Sequence, residues 1–136
     1  MSPITITAEI SAPLDTVWNC WNTPEHVMQW NFAMDSWHCP ASTIDFRPGG
    51  EFHTTMAAKD GSMSFDFWGT YDVVEPPHLV KSTMGDGRKM SVHFEATEEG
   101  TRVTETFDPE SENPVEMQRQ GWQSILDNFK KYVESL

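Results

Sequence analysis

The stretch "SENPVEMQRQGWQSILDNFKKYVE", residues 111–134, predicts a long helix near the end of the chain. Pro114 suits a first helical turn, and Asn113 with Glu116 has the spacing of a capping box. An apolar stripe follows at helical spacing, formed by Trp122, Ile125, Phe129 and Val133. One face of this helix is therefore expected to pack against the rest of the protein.

Gly121 lies in the interior of this helix, directly before Trp122. A glycine there costs about 0.5–1 kcal/mol relative to alanine. It follows Gln118 by three residues and precedes Ile125 by four, so it falls on the inward side of the helix. Two interpretations are open: tight packing of the helix backbone against a bulky strand residue, or space for a cavity whose wall is Trp122.

The preceding part of the chain predicts β-structure. "ITITAEI" (residues 4–10) alternates apolar and polar residues, as a strand with one buried face does. Between Ala41 and Phe107, turn-forming sequences recur at short intervals, and the runs between them have a period of two. The turns are "RPGG", "KDGS", "EPPH", "GDGR" and "EEGT". Such short connections imply an antiparallel meander of six strands, which makes seven with the first.

Two short helices are predicted between the first strand and the meander. The first carries one apolar stripe after Pro13, formed by Leu14, Val17, Trp18 and Trp21. Thr23 and Pro24 are expected as N-cap and first residue of the second, which ends near Trp30. Residues 31–40 contain aromatic side chains without a clean period, and we predict a loop or crossing segment there.

These elements predict an α+β fold in a chain of 136 residues, the size of one domain. A seven-stranded curved antiparallel sheet would wrap its apolar face around the long C-terminal helix, and the two short helices would close one end.

Composition excludes several classes of partner. The formal charge of −12 at pH 7 would repel nucleic acid and anionic membranes. No apolar run approaches the ~20 residues of a membrane helix, and "MSPITITAEI" lacks the features of a signal peptide. We therefore expect a cytoplasmic protein with neither nucleic acid nor membrane as a partner.

No metal or cofactor is predicted. Cys20 and Cys39 are expected to be free thiols, and the CxxC, HxxxH and HExxH spacings are absent. His53 and His93 fall on the outer face of the sheet, where a zinc site would need further ligands.

The inward side chains of sheet and helix allow either a packed core or an apolar pocket with a few polar groups. If there is a pocket, the predicted ligand-contacting residues are Trp30, Trp37, Phe52, Met56, Phe67, Tyr71, Met90, Phe94, Glu105, Gln118, Gly121, Trp122 and Ile125. Trp30 and Trp37 bracket the irregular segment, where they would either cap the core or form an aromatic rim at the pocket mouth.

Two polar residues favour a pocket. Gln118 shares the inward helix face, at the end expected to lie nearest the two short helices. Glu105 alternates with Val103 and Phe107, so it should point inward unless a bulge turns it to solvent. A carboxylate in an apolar interior has to be paired, hydrated or protonated. Glu105 is the one weak candidate for a catalytic group.

The chain resembles the SRPBCC superfamily, and within it the single-domain proteins similar to the C-terminal domain of the activator of heat-shock protein 90 ATPase. The motifs that carry this likeness are "SAPLDTVWNCWNTPEHVMQW", "FRPGGEF", "FDFWGTYDVVEPPHLV", "GTRVTETF" and "GWQSILDNFKKYVE". The resemblance covers nearly all of residues 1–136 and implies a single helix-grip domain, as in START domains and the birch-pollen allergen. It also implies a deep cavity for lipids, polyketides or other hydrophobic molecules.

Members of this superfamily include binding proteins, cyclases, hydrolases and co-chaperones, so the fold does not determine the activity. The leading hypothesis is a binding protein for a small hydrophobic molecule, lipid-like or aromatic and polyketide-like. The second is an enzyme such as a cyclase, hydratase or hydrolase, in which Glu105 serves as general acid or base with Tyr71 or Gln118 orienting the substrate. The third is a co-chaperone-like interaction protein. A chaperone or a second copy of the chain is a further candidate partner that no residue pattern supports.

Overall fold

The structure, a computed structural model, describes residues 2–136 and has the predicted α+β architecture. Its elements are β1 (Ile4–Ile10), α1 (Leu14–Asn22), α2 (Pro24–Trp30), β2 (Trp37–Ile44), β3 (Glu51–Ala58), β4 (Ser64–Glu75), β5 (Leu79–Met84), β6 (Lys89–Thr97), β7 (Gly100–Phe107) and α3 (Val115–Glu134). No helix within these residues combines the length and hydropathy needed to cross a bilayer.

The seven strands form one antiparallel sheet in the order β1-β7-β6-β5-β4-β3-β2. The predicted meander is confirmed, with β1 added beside β7. Burial alternates strictly along β1, β3 and β7, because every second side chain points to the concave face. The sheet curls around α3 as a half-barrel.

Helix α3 presents two adjoining inner faces. Leu126, Phe129 and Val133 are buried in the core. Trp122 and Ile125, which the sequence placed on the same stripe as Phe129, are only partly buried. The helix therefore packs tightly along its C-terminal half and leaves its N-terminal half facing a different environment.

The short helices α1 and α2 close one end of the sheet, as predicted. Trp18 of α1 meets the ring of Phe94 edge-on, at a centroid distance of 5.1 Å. Asn128 of α3 donates from Nδ2 to the carbonyl oxygen of Trp30 at 2.8 Å, which ties α2 to the C-terminal half of α3. Gln118, in the first turns of α3, lies at the other end of the helix, so its predicted place near the short helices is wrong.

The predicted cap of α3 is also wrong. The helix begins at Val115, with Pro114 as its N-cap, and no side chain caps its first turn. The amide of Gln118 instead holds the preceding segment. Its Nε2 donates to the carbonyl oxygens of Asn113 at 2.8 Å and Glu110 at 3.0 Å, and its Oε1 accepts from the Glu110 N–H at 2.8 Å.

Strand β2 extends further than predicted. It begins at Trp37, inside residues 31–40, which we expected to be a loop or crossing segment. The register against β3 shifts between His38 and Ala41, so a bulge breaks the period that a regular strand would show. Pro40 lies within this shift, and β2 is an edge strand, where a missing N–H is tolerated.

Strand β1 forms the opposite edge, and α3 covers it. Arg119 donates to the carbonyl oxygen of Thr5 at 3.2 Å, and Gln123 to that of Thr7 at 3.3 Å. The ammonium of Lys130 donates to the carbonyl oxygen of Glu9. Carbonyl groups that no strand pairs are thus satisfied by helix side chains.

Candidate functional site

A cavity of about 490 Å³ lies between the concave face of the sheet and the N-terminal half of α3. Its wall is mostly apolar and aromatic. Strands β2 to β7 supply its base, α3 one side, and α1, α2 and residues 31–34 the other side. The interior is therefore not a solidly packed core.

Eleven of the thirteen predicted ligand-contacting residues line this cavity. They are Trp30, Trp37, Phe52, Met56, Phe67, Tyr71, Met90, Glu105, Gly121, Trp122 and Ile125.

Phe94 and Gln118 do not line it. Phe94 points inward as predicted, but α1 covers that end of the sheet, and the ring packs against Trp18 and Trp21. Gln118 is buried, and its amide is engaged with backbone groups of Glu110 and Asn113. It therefore has no free polar group for a ligand or a substrate.

Glu105 points into the cavity from β7, which confirms its predicted orientation. Its neighbours across the strands are Ile6 and Val92, both apolar, and the residue is only 5% exposed. Its carboxyl group makes no hydrogen bond or ion pair with any of the described residues. Burial without a charged partner raises the pKa of Glu105 to about 8. The side chain is therefore mostly protonated at neutral pH.

Two hydroxyl groups are the next polar features. Tyr71 and Ser82 face each other across β4 and β5, and both are buried at the cavity wall. Neither hydroxyl makes a hydrogen bond within residues 2–136. Burial also raises the pKa of Tyr71, so its phenol remains a neutral donor and acceptor.

Gly121 faces the cavity and not a strand. A Cβ atom added there would meet no heavy atom within 4 Å outside its own helix segment. Of the two interpretations open from the sequence, close packing against a strand is therefore wrong, and space within a cavity fits. Trp122 forms the adjoining wall, with Phe67 edge-on to it at a centroid distance of 6.0 Å.

The two tryptophans on either side of residues 31–36 differ in their position relative to the cavity. Trp30 is 3% exposed, packs against the rings of Trp21 and Phe129, and donates from its indole to the Cys20 carbonyl at 3.0 Å. It belongs to the core and borders the cavity with one edge. Trp37 is partly exposed, with Phe65 at a centroid distance of 5.9 Å, and so lies toward the mouth.

The mouth itself is apolar. Met34 and Phe65 line the cavity and are 59% and 48% exposed. An apolar molecule can thus reach the interior without crossing a ring of charge.

The family described as "Activator of Hsp90 ATPase homolog 1-like protein" matches residues 11–134 of this sequence. The chain belongs to this family. It is thereby a member of the SRPBCC superfamily, whose domains are generally ligand-binding.

Solved structures agree with this assignment. An activator-like protein of Aeromonas hydrophila, solved by NMR in solution, is 46% identical, with a TM-score of 0.93 over 98% of this chain and 92% of that one. A Cytophaga hutchinsonii protein is 49% identical, with a TM-score of 0.80 over 98% and 91% of the two chains. A Nitrosomonas europaea protein shares the fold at 19% identity, with a TM-score of 0.83 over 98% and 95%. The sequence matches no curated protein.

Sequence reasoning missed part of the wall of this activator-like domain. Lining residues absent from the predicted set are Trp21, Asn22, Val27, Asn31, Phe32, Ala33, Met34, Ile44, Thr54, Phe65, Val80, Ser82, Arg88 and Val92. Strand parity could have found Thr54, which lies between the inward residues Phe52 and Met56. The placement of residues 31–34 and of Arg88 depends on how loops fold back over the sheet, which no periodicity reports.

The activator-like domain has no cluster of three or more His, Cys, Asp or Glu side chains arranged to hold a metal ion among residues 2–136. His53 lies on the outer face of β3, where Asp66 and Glu51 accept from its ring nitrogens at 2.8 and 2.9 Å. His93 is on β6, which two intervening strands, β5 and β4, separate from β3. Cys20 and Cys39 are free thiols.

Proposed function

We propose that this protein binds a small hydrophobic molecule in the cavity between α3 and the sheet. The observation that carries the proposal is the cavity itself. Protein interiors normally pack with few voids larger than a water molecule. A space of about 490 Å³ lies instead within the size range of small-molecule sites.

The lining supports an apolar ligand with a single polar end. Most wall residues are aromatic, aliphatic or Met, and the polar groups that face the cavity without a hydrogen bond to a described residue include those of Glu105, Tyr71 and Ser82. Such a surface binds by removing apolar area from water, at about 25 cal/mol per Å², while a few polar groups fix orientation.

Gly121 supports the same proposal from the helix. The residue gives up helical stability at a place where its missing side chain widens the cavity. A loss of helical stability of this kind is expected where the space left by the missing side chain accommodates a ligand.

The direct test is native mass spectrometry of the purified protein, followed by solvent extraction and titration with fatty acids and aromatic polyketides. Gly121→Leu should place a side chain in the cavity and lower uptake at least tenfold, with stability near that of the wild type. Gln120→Leu, one residue earlier on the exposed side of α3, is the matched control. If neither these probes nor an uncharged or cationic lipid of similar length binds the wild-type protein, the proposal is wrong.

One observation favours an enzyme as a second candidate function. A carboxyl group with a pKa of about 8 can supply a proton near neutral pH, as a general acid must. In this version Glu105 protonates a bound substrate and Tyr71 orients it. Gln118 has no part, because its amide is engaged elsewhere. Turnover by the wild type that Glu105→Gln abolishes without loss of binding would support it.

A further inference from the structure

The carboxyl group of Glu105 belongs to a buried residue and opens onto the cavity, where no described residue is its hydrogen-bond partner. It is 5% exposed, is flanked by Ile6 and Val92, and lines the cavity without a hydrogen bond or ion pair among the described residues. A buried carboxyl group normally gains a donor or a cation to offset the loss of water. In this protein that partner has to come from whatever occupies the cavity.

The described residues offer an anionic ligand no unpaired positive charge in the cavity. Among residues 2–136, Arg88 is the only basic residue in the cavity wall. The guanidinium of Arg88 donates from Nε to Asp86 at 2.7 Å and from Nη1 to the Asp108 carbonyl at 3.1 Å. A ligand carboxylate would therefore find no unpaired cation in the cavity, and Glu105 would repel it at any pH at which Glu105 is ionised.

Within residues 2–136, no ionisable group lies directly opposite Glu105 on a neighbouring strand. Its neighbours on β1 and β6 are apolar, and α3 contributes Gly121, Trp122 and Ile125 to the wall. The cavity-lining residues of α1 and α2 carry no charge. The other titratable members of the described wall are Tyr71 on β4 and Arg88, which is paired with Asp86. Glu105 is thus the group in this wall that can form an ion pair with a charged ligand.

Two further features favour a positive charge. Trp and Phe rings from β3, β4 and all three helices line the cavity, and the faces of such rings attract ammonium groups. The formal charge of −12 gives the protein a negative field, which draws cations toward the mouth and repels anions.

We propose that the ligand is a lipophilic amine, an inference that rests on the proposed function. Its ammonium group pairs with Glu105, and its apolar body lies against the aromatic wall. On binding, the carboxylic acid of Glu105 releases its proton to solvent, and the carboxylate and the ammonium remain as an ion pair. A fatty acid and an uncharged alcohol of equal length lack this pairing.

The experiment compares decylamine, decanol and decanoate, each below its micellar concentration, by titration calorimetry on protein freed of bound material. Glu105→Gln removes the charge and keeps the side-chain shape. Glu98→Gln, at the exposed β6–β7 turn, removes the same formal charge elsewhere. At pH 8 the amine should bind at least tenfold more tightly than the alcohol. Glu105→Gln should lower amine affinity at least tenfold and change alcohol affinity less than threefold, whereas Glu98→Gln should change neither.

Proton release gives a measurement that does not depend on a variant. At pH 7, calorimetry in buffers of different ionisation enthalpy should show nearly one proton released per amine bound. Amine affinity should rise on the order of fiftyfold between pH 6 and pH 8 and then level off, since ionised Glu105 is the binding form.

The outcomes separate the two proposals. If decanol or decanoate binds as tightly as decylamine, or if no proton is released, the amine proposal is overturned and the hydrophobic-ligand proposal stands. If none of the three probes binds, both are overturned.

Discussion

The indole of Trp122 lies flat on the ring of Phe107, with ring centroids 3.7 Å apart and planes 10° from parallel. Phe107 is the last residue of β7 and is 1% exposed, whereas Trp122 is partly buried at the cavity wall. This stack joins the N-terminal half of α3 to the sheet at the place where the cavity separates the two.

We expect Trp122→Ala to lower the free energy of unfolding by about 2–3 kcal/mol. The loss is smaller than the ~3–5 kcal/mol typical of a fully buried aromatic residue, because Trp122 is only partly buried. Urea denaturation measures it. Met117→Ala, an exposed position on the same helix, should change stability by less than ~0.5 kcal/mol. Equal effects of the two variants would contradict the role assigned to the stack.

Gly121→Ala should stabilise the protein by about 0.5–1 kcal/mol, since alanine favours the helix and its Cβ meets open space. Gly69→Ala is the opposite case. A Cβ at position 69 would lie 2.6 Å from the Thr83 carbonyl oxygen and 3.0 Å from the Phe52 ring, so this variant should be destabilised. Thermal unfolding of both variants shows whether each is more or less stable than the wild type. A destabilised Gly121→Ala would mean that the helix does pack closely at that position.

Glu105 should make stability fall as pH rises. The pKa of Glu105 is about 8 in the folded protein against an ordinary value of 4.5. Between these values the unfolded chain has lost its proton and the folded protein retains it, so ∂ΔG/∂pH is negative, at most about 1.4 kcal/mol per pH unit. Below pH 4.5 and above pH 8 this contribution is constant.

Urea denaturation of ligand-free protein between pH 5 and pH 9 tests this dependence. Glu105→Gln should be more stable than the wild type by about 4 kcal/mol above pH 8, with the difference shrinking toward pH 5. Parallel curves for the two proteins would show that Glu105 ionises normally.

Gln118→Leu should cost about 1–3 kcal/mol, because it leaves the Glu110 N–H and the carbonyl oxygens of Glu110 and Asn113 without their partner. Hydrogen exchange should report the change locally, as faster exchange of the Glu110 amide. Gln120→Leu, on the exposed side of α3, is the control. Unchanged protection of Glu110 would show that the segment is held by other contacts.

The direction of most inward side chains could be predicted, because it depends on local alternation. Glu105 takes its orientation from Val103 and Phe107, its neighbours at two-residue spacing in an unbulged strand. Six of the seven strands followed from turn-forming sequences, which occur between successive strands of the meander, and β1 followed from its own alternation of apolar and polar residues.

The division of inward residues between core and cavity could not be predicted. Phe52 and Phe94 both point to the concave face, yet one lines the cavity and the other lies beneath Trp18. The difference comes from where α1 crosses the sheet, a long-range property that no local pattern contains. The prediction that Gln118 contacts a ligand was wrong for a related reason. Its hydrogen-bond partners, Glu110 and Asn113, depend on the path of the preceding loop.

The two edges of the sheet have a consequence for how the protein behaves at high concentration. An unpaired edge strand can recruit a strand from another molecule and so begin aggregation. Here, β1 has its free carbonyl groups occupied by Arg119, Gln123 and Lys130, and β2 is interrupted by Pro40 and a bulge. Growth of the sheet at its β1 edge would require α3 to release β1. The helix that bounds the cavity therefore also protects this edge against strand addition.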